Sequence, residues 1–122
     1  MNKKAEQNSP SGANGKTVEV GLATPEQIAA WKTEHKEVTE VKVSVEDNEL
    51  AVCYIRKPDR NITAKALSLY HQDKPLQSGE FIRDNCWIGG DPRTKSDEDI
   101  AMSVALACNQ LVPLMEVVSK KL

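Results

Sequence analysis

Two runs of alternating side chains, separated by Asp47-Asn48, constrain the fold of this chain more than any other feature. Val41, Val43 and Val45 alternate with Glu40, Lys42 and Ser44, and Leu50, Val52 and Tyr54 alternate with Ala51 and Cys53. A period of two is the signature of a strand with one buried face. Asp47 and Asn48 tolerate the positive φ of a two-residue turn. Such a turn sets Val45 opposite Leu50, Val43 opposite Val52 and Val41 opposite Tyr54, so that three apolar pairs share one face. A lone hairpin is marginal in water, and helices must therefore cover that face.

The flanking segments supply helices. Thr24-Pro25-Glu26-Gln27 reads as a helix start: Thr24 caps, Pro25 suits the first helical position and Gln27 completes a capping box. Ile28, Trp31 and His35 follow at helical spacing, and the helix should end near Lys36. Pro58 ends the second strand. A helix is predicted from about Arg60 to Gln72, with Ile62, Ala66, Leu69 and Tyr70 on one side. Asp73-Lys74-Pro75 breaks it, and a second short helix runs from about Pro75 to Asn85 around Leu76, Phe81 and Ile82. Within it Gly79 permits close backbone approach. Trp87 to Lys95 reads as a loop. The last helix starts at Ser96 or Asp97, with Asp97, Glu98 and Asp99 in its first turn and Lys120 and Lys121 in its last, complementing the helix dipole at both ends. Ile100, Val104, Ala107, Leu111, Leu114 and Val118 form one apolar seam along it, and Ala101, Ala105, Cys108, Val112 and Met115 a second beside it. Pro113 should kink or split it near Gln110. The expected fold is α+β: an N-terminal helix, a β-hairpin and three helices, the last long and apolar.

With 122 residues there is room for one domain. Residues 1–23 are expected to form a flexible tail, since Met1 to Gly21 is rich in Lys, Asn, Ser and Gly and poor in apolar residues, and residues 24–122 to form the domain. Val18 and Val20 have the pattern to pair with a sheet edge. A formal net charge of −2 gives no electrostatic drive toward nucleic acid or an anionic membrane, and 4% aromatic residues leave little for base stacking. No apolar run approaches the ~18 residues of a membrane span. Met1-Asn2-Lys3-Lys4 is basic but no apolar stretch follows it, so a cytoplasmic location is expected, with Cys53, Cys86 and Cys108 as small buried apolar side chains.

Few residues carry a catalytic pattern. His35, His71 and the three cysteines lack metal-ligand spacing, and no metal or cofactor is expected. A nucleophilic Cys86 with His71 as base defines a small Cys-dependent enzyme as one alternative, but it lacks an orienting third group. Gly89-Gly90-Asp91 is not a phosphate loop, because the G-x-x-x-x-G-K-[ST] pattern is absent. The glycines instead suit a tight turn that folds Trp87 back onto the core, with Asp91 accepting backbone hydrogen bonds in it. Trp87 is expected to be largely buried. Arg56 is a candidate partner for Asp91 or Asp84.

Tyr54-Ile55-Arg56-Lys57-Pro58 at a strand end, a polar helix pair, Asn85-Cys86-Trp87-Ile88-Gly89-Gly90-Asp91 and an Ala-rich final helix together resemble the small tail assembly chaperones of long-tailed bacteriophages, over residues 25–122. The resemblance implies a non-enzymatic protein of phage tail morphogenesis that self-associates and keeps apolar helical segments of a tape-measure protein soluble in the host cytoplasm. The wide apolar face of the last helix fits such a role, with Ala101, Val104, Ala105, Cys108, Leu111 and Met115 as the partner contact and Trp87, Gly89, Gly90 and Asp91 as a structural turn. The other alternative is a minor structural or interaction protein of the virion itself.

Overall fold

The structure is a computed structural model that describes residues 17–46, 48–111 and 117–122. Its organising element is the strand β3, Glu49–Arg56, in a four-stranded sheet. β2, Val38–Glu46, runs antiparallel along one edge of β3. Two short strands share the other edge. β1, Val18–Val20, lies parallel to Glu49–Ala51, and β4, Trp87–Gly90, lies antiparallel to Cys53–Ile55. They meet end to end at Val52, whose carbonyl accepts from the Asp91 N–H at 2.8 Å. Gly21 and Gly90, at φ 101° and 126°, let both chains turn away there.

One face of the sheet carries the main core. Cys53 and Ile55 pack with Ile62 and Ala66 of α2 (Arg60–His71), Ile82 and Cys86 of α3 (Pro75–Cys86), and Val104 and Cys108 of α5 (Glu98–Cys108). The opposite face is covered by α1, Pro25–His35, through Trp31, whose ring lies 5.2 Å from that of Tyr54. The short α4, Arg93–Ser96, links β4 to α5.

Local chemistry sets the helix ends. Thr24 Oγ1 accepts from Gln27 N at 3.1 Å, and α1 stops where Lys36 adopts φ 68°. Asp59 Oδ1 accepts from Ile62 N, and Asp97 Oδ1 from Asp99 N and Ile100 N, capping α2 and α5. α3 presses so closely on α5 that a Cβ on Gly79 would overlap the Ala105 carbonyl oxygen.

Four expectations are corrected. The hairpin register is shifted by one: Val43 faces Ala51 and Val41 faces Cys53, not Val52 and Tyr54. The turn falls at the expected place, since Glu46 still faces Glu49 and Asn48 has φ 64°. However, Ser44 faces Leu50, so a bulge at Val45 gives β2 one extra residue and moves every pair beyond it. Leu50, Val52 and Tyr54 thus share the Trp31 side of the sheet with Glu40, Lys42 and Ser44. The long final helix is not formed either. α5 ends at Cys108 and passes into a 3₁₀ turn, Asn109–Leu111, while residues 117–122 have no regular structure. Proline lacks an N–H and its ring opposes the carbonyl four residues earlier, which for Pro113 is that of Asn109. The folded chain reaches back to Val18 rather than Thr24, and only residues 1–16 of the expected tail lie outside the described residues. Finally, Trp87–Gly90 is a strand, not a loop.

Gly79→Ala should destabilise the domain by about 1–3 kcal/mol through overpacking, against the usual stabilising effect of Gly→Ala in a helix. Urea denaturation of the two proteins measures this.

Candidate functional site

The segment from Trp87 to Lys95 closes on itself through polar contacts. Gly90 turns the chain out of β4 and buries Asp91, 3% exposed. The Asp91 Oδ1 accepts from the Arg93 backbone N–H at 3.0 Å, and Arg93 Nε and one terminal nitrogen donate to Oδ2 at 3.0 and 2.8 Å. The same terminal nitrogen reaches Glu49 Oε2 at 3.3 Å, tying α4 to the first residue of β3. Thr94 is fully buried; its hydroxyl donates to the Asp91 carbonyl at 2.6 Å and accepts from Trp87 Nε1 at 2.8 Å. Lys95 Nζ sits 4.6 Å above the Trp87 ring. Hydrogen bonds from Arg93 hold the Asp91 carboxyl below its ordinary value against the opposing effect of burial, and the two carboxylates raise the Arg93 guanidinium.

Asp91 therefore accepts backbone hydrogen bonds as expected, but the two glycines act differently. Gly89 lies beneath Trp31, where a Cβ would meet Cη2 at 2.7 Å, and Gly90 lies against Cys53. Gly89 makes room for a neighbour rather than a turn, whereas Gly90 makes room for Cys53 and, at φ 126°, also turns the chain. Trp87 is half-buried at the margin of the core, less than expected. Arg93 and Thr94 were not singled out from sequence, although Asp91-Pro92-Arg93-Thr94 carries the signal of a short capped helix. Arg56 pairs with neither expected carboxylate. It donates to the Asn85 carbonyl at 3.0 Å, Asp84 pairs with Arg83, and Asp91 with Arg93.

On the Trp31 side of the sheet, the Tyr54 hydroxyl donates to Glu40 Oε2 at 2.8 Å and accepts from Ala23 N at 3.2 Å. Burial and the neighbouring Glu40 raise its pKa. Lys42 bridges Glu40 and Glu19, joining β2 to β1 across β3.

The expected partner contact is mostly interior. Ala101, Val104, Ala105 and Cys108 are buried, Ala105 against Gly79 and Ala101 through its carbonyl to buried Arg83 Nη1 at 2.8 Å. Leu111 packs half-buried on the core, and Met115 lies outside the described residues. The large apolar side chains that α5 turns outward are Met102 and Leu106, 39% and 49% exposed, beside the exposed Glu98, Asp99 and Ser103.

The thiols are suppressed. Cys53, Cys86 and Cys108 are free and fully buried, and burial pushes Cys53 up to about 11, Cys108 up to about 12 and Cys86 upward. His71 is exposed, edge-on to Tyr70, and makes no described interaction with Cys86. Among the described residues no group of three His, Cys, Asp or Glu is placed to hold a metal ion.

Native protein at pH 8 should react with a thiol reagent far more slowly than protein in denaturant, because the thiolate is the reactive species. Acid should also find the Asp91 contact. A carboxyl with a depressed folded pKa contributes stability above its unfolded value, here near 3.8, and loses it as pH falls through the folded value. Asp91→Asn should lower the melting temperature at pH 7 and flatten its fall below about pH 4. The chain matches no family model, no curated protein and no solved structure, so the residues and their geometry carry the functional reading.

Proposed function

We propose that this protein is a non-enzymatic binding protein of the tail assembly chaperone kind, which holds apolar helical segments of a tape-measure-like protein in the host cytoplasm. The observation that carries the reading is the exposed apolar row Met102 and Leu106 on the outer face of α5, in a domain whose C-terminal Val117, Val118 and Leu122 are also exposed. Spaced four residues apart, Met102 and Leu106 share one helix face, the arrangement by which a second helix is gripped. Met is suited to partners of varied shape. The buried thiols and the hydroxyls of Ser78 and Thr94, which donate to backbone carbonyls, fit a binding role better than a catalytic one. The likeness of the Tyr54–Pro58 and Asn85–Asp91 segments to tail assembly chaperones names the partner class. No described helix is long and apolar enough to cross a membrane.

The burial pattern moves the proposed contact from the Ala101/Ala105/Cys108 stripe to Met102 and Leu106. Co-expression with an apolar helical tape-measure segment tests it. The parent should keep the segment soluble, and Leu106→Glu should lose that ability while keeping the parent's melting temperature. Ala105→Glu should instead cost about 3 kcal/mol or more, because it buries a charge without a partner. A Leu106→Glu variant that protects the segment as well as the parent removes the reading.

A further inference from the structure

The two edges of the sheet differ. On one side β3 is flanked by strands of three and four residues that meet head to head, so no continuous backbone ladder is offered there. On the other side β2 has nine residues, and among the described residues nothing hydrogen-bonds to its outer edge. An edge of that length pairs readily with another strand unless its side chains forbid it.

We infer that β2 pairs antiparallel with β2 of a second copy about a two-fold axis at Val41, joining two sheets into one. Two independent features select this register. The first is geometry: the regular part of β2 is Val38–Ser44, since the bulge breaks the ladder between Ser44 and Glu46. Val41 is its midpoint, so only a two-fold at Val41 pairs the whole segment with itself. The second is charge. Glu40 and Lys42 flank Val41, and this register sets each Glu40 opposite Lys42 of the other copy, giving two opposite-charge pairs beside the contacts that Lys42 makes with Glu19 and Glu40, and Glu40 with Tyr54, within each chain. Moving the axis to Lys42 places the two lysines face to face, and moving it to Glu40 places the two glutamates so. Like charges directly opposite destabilise a strand pair. Both side chains are more than a third exposed, at 39% and 37%, and lie on the same face of the sheet. On the other face Val41 would meet Val41, and the exposed Thr39 would meet half-buried Val43. Lys42 is a residue that ordinarily discourages edge pairing. Here it opposes the register centred on itself and favours the one centred on Val41.

The surface is distinct from the outer face of α5, so the two readings fail separately. The test uses charge reversal and sedimentation velocity, with circular dichroism melts as the folding control. The parent should sediment as a dimer that salt weakens. Glu40→Lys and Lys42→Glu should each weaken self-association about tenfold or more, since each turns two attractive pairs into repulsive ones. An equimolar mixture of the two variants should recover the dimer, because a copy with lysine on both sides of Val41 then faces a copy with glutamate on both sides. The unaltered protein offers a second measurement. After mixing ¹⁴N- and ¹⁵N-labelled chains, a carbodiimide should give a Glu40–Lys42 cross-linked peptide containing both isotopes. A parent that stays monomeric at its highest soluble concentration overturns the inference. So does a dimer that both reversals leave intact, or a cross-link found only within single chains.

Discussion

Everything in this domain is arranged around a strand with no side open to water. β3 is hydrogen-bonded on both edges and packed on both faces, and Ala51, Val52, Cys53, Tyr54 and Ile55 are all buried. Its backbone groups have lost water and must find protein partners along the whole length. That requirement explains the divided edge. β2 satisfies one side alone, but the other side needs β1 and β4 together, with Asp91 N–H closing the gap at Val52. The fold is completed only when two segments remote in sequence, ending at Val20 and Asp91, arrive at the same strand.

The polar cluster at Asp91 follows from that meeting. Gly21 and Gly90 pack backbone on backbone, and a Cβ on either would overlap Val52. With no side chain available to pack, the junction must be held by directional bonds. Asp91 provides them from its two oxygens, and Arg93 extends the grip to Glu49 at the start of β3. Asp91 is buried while the Arg93 side chain is 37% exposed, so the pair avoids the full desolvation cost of an interior ion pair.

Much of this was legible where the signal is local. Thr24-Pro25 and Pro75 mark helix starts by chemistry confined to one turn, and Gly79 announces a close approach because glycine is otherwise a poor helix residue. The hairpin register was not legible. Leu50, Val52 and Tyr54 look like the single apolar face of β3 only if Ala51 and Cys53 are taken as the other side; with both faces buried, alternation cannot say which face meets the helices, and nothing in Val45 marks a bulge. α5 was overdrawn for a related reason. Its apolar repeat continues past Pro113, but periodicity records side chains, whereas the break is a backbone event. The same repeat could not say how wide the core is, so Ala101 and Ala105 read as surplus when α3 in fact covers them. Arg93 escaped notice because one of its partners, Glu49, is remote in sequence.

A domain this small can keep part of its surface free for partners only if its interior is closed economically. The small residues of α5 and the glycine of α3 do this by bringing two helix backbones together, and Arg83 spans the same joint with a single hydrogen bond to Ala101. Because α3 and the sheet take the inner side of α5, Met102 and Leu106 are left outward without weakening the core. The bulge acts similarly on β2. It ends the regular ladder at Ser44 and turns the valines toward the helices, leaving Glu40 and Lys42 on the opposite face. The features that departed from simple periodicity, an early helix end and a one-residue slip, are thus the ones that decide which side chains the molecule presents.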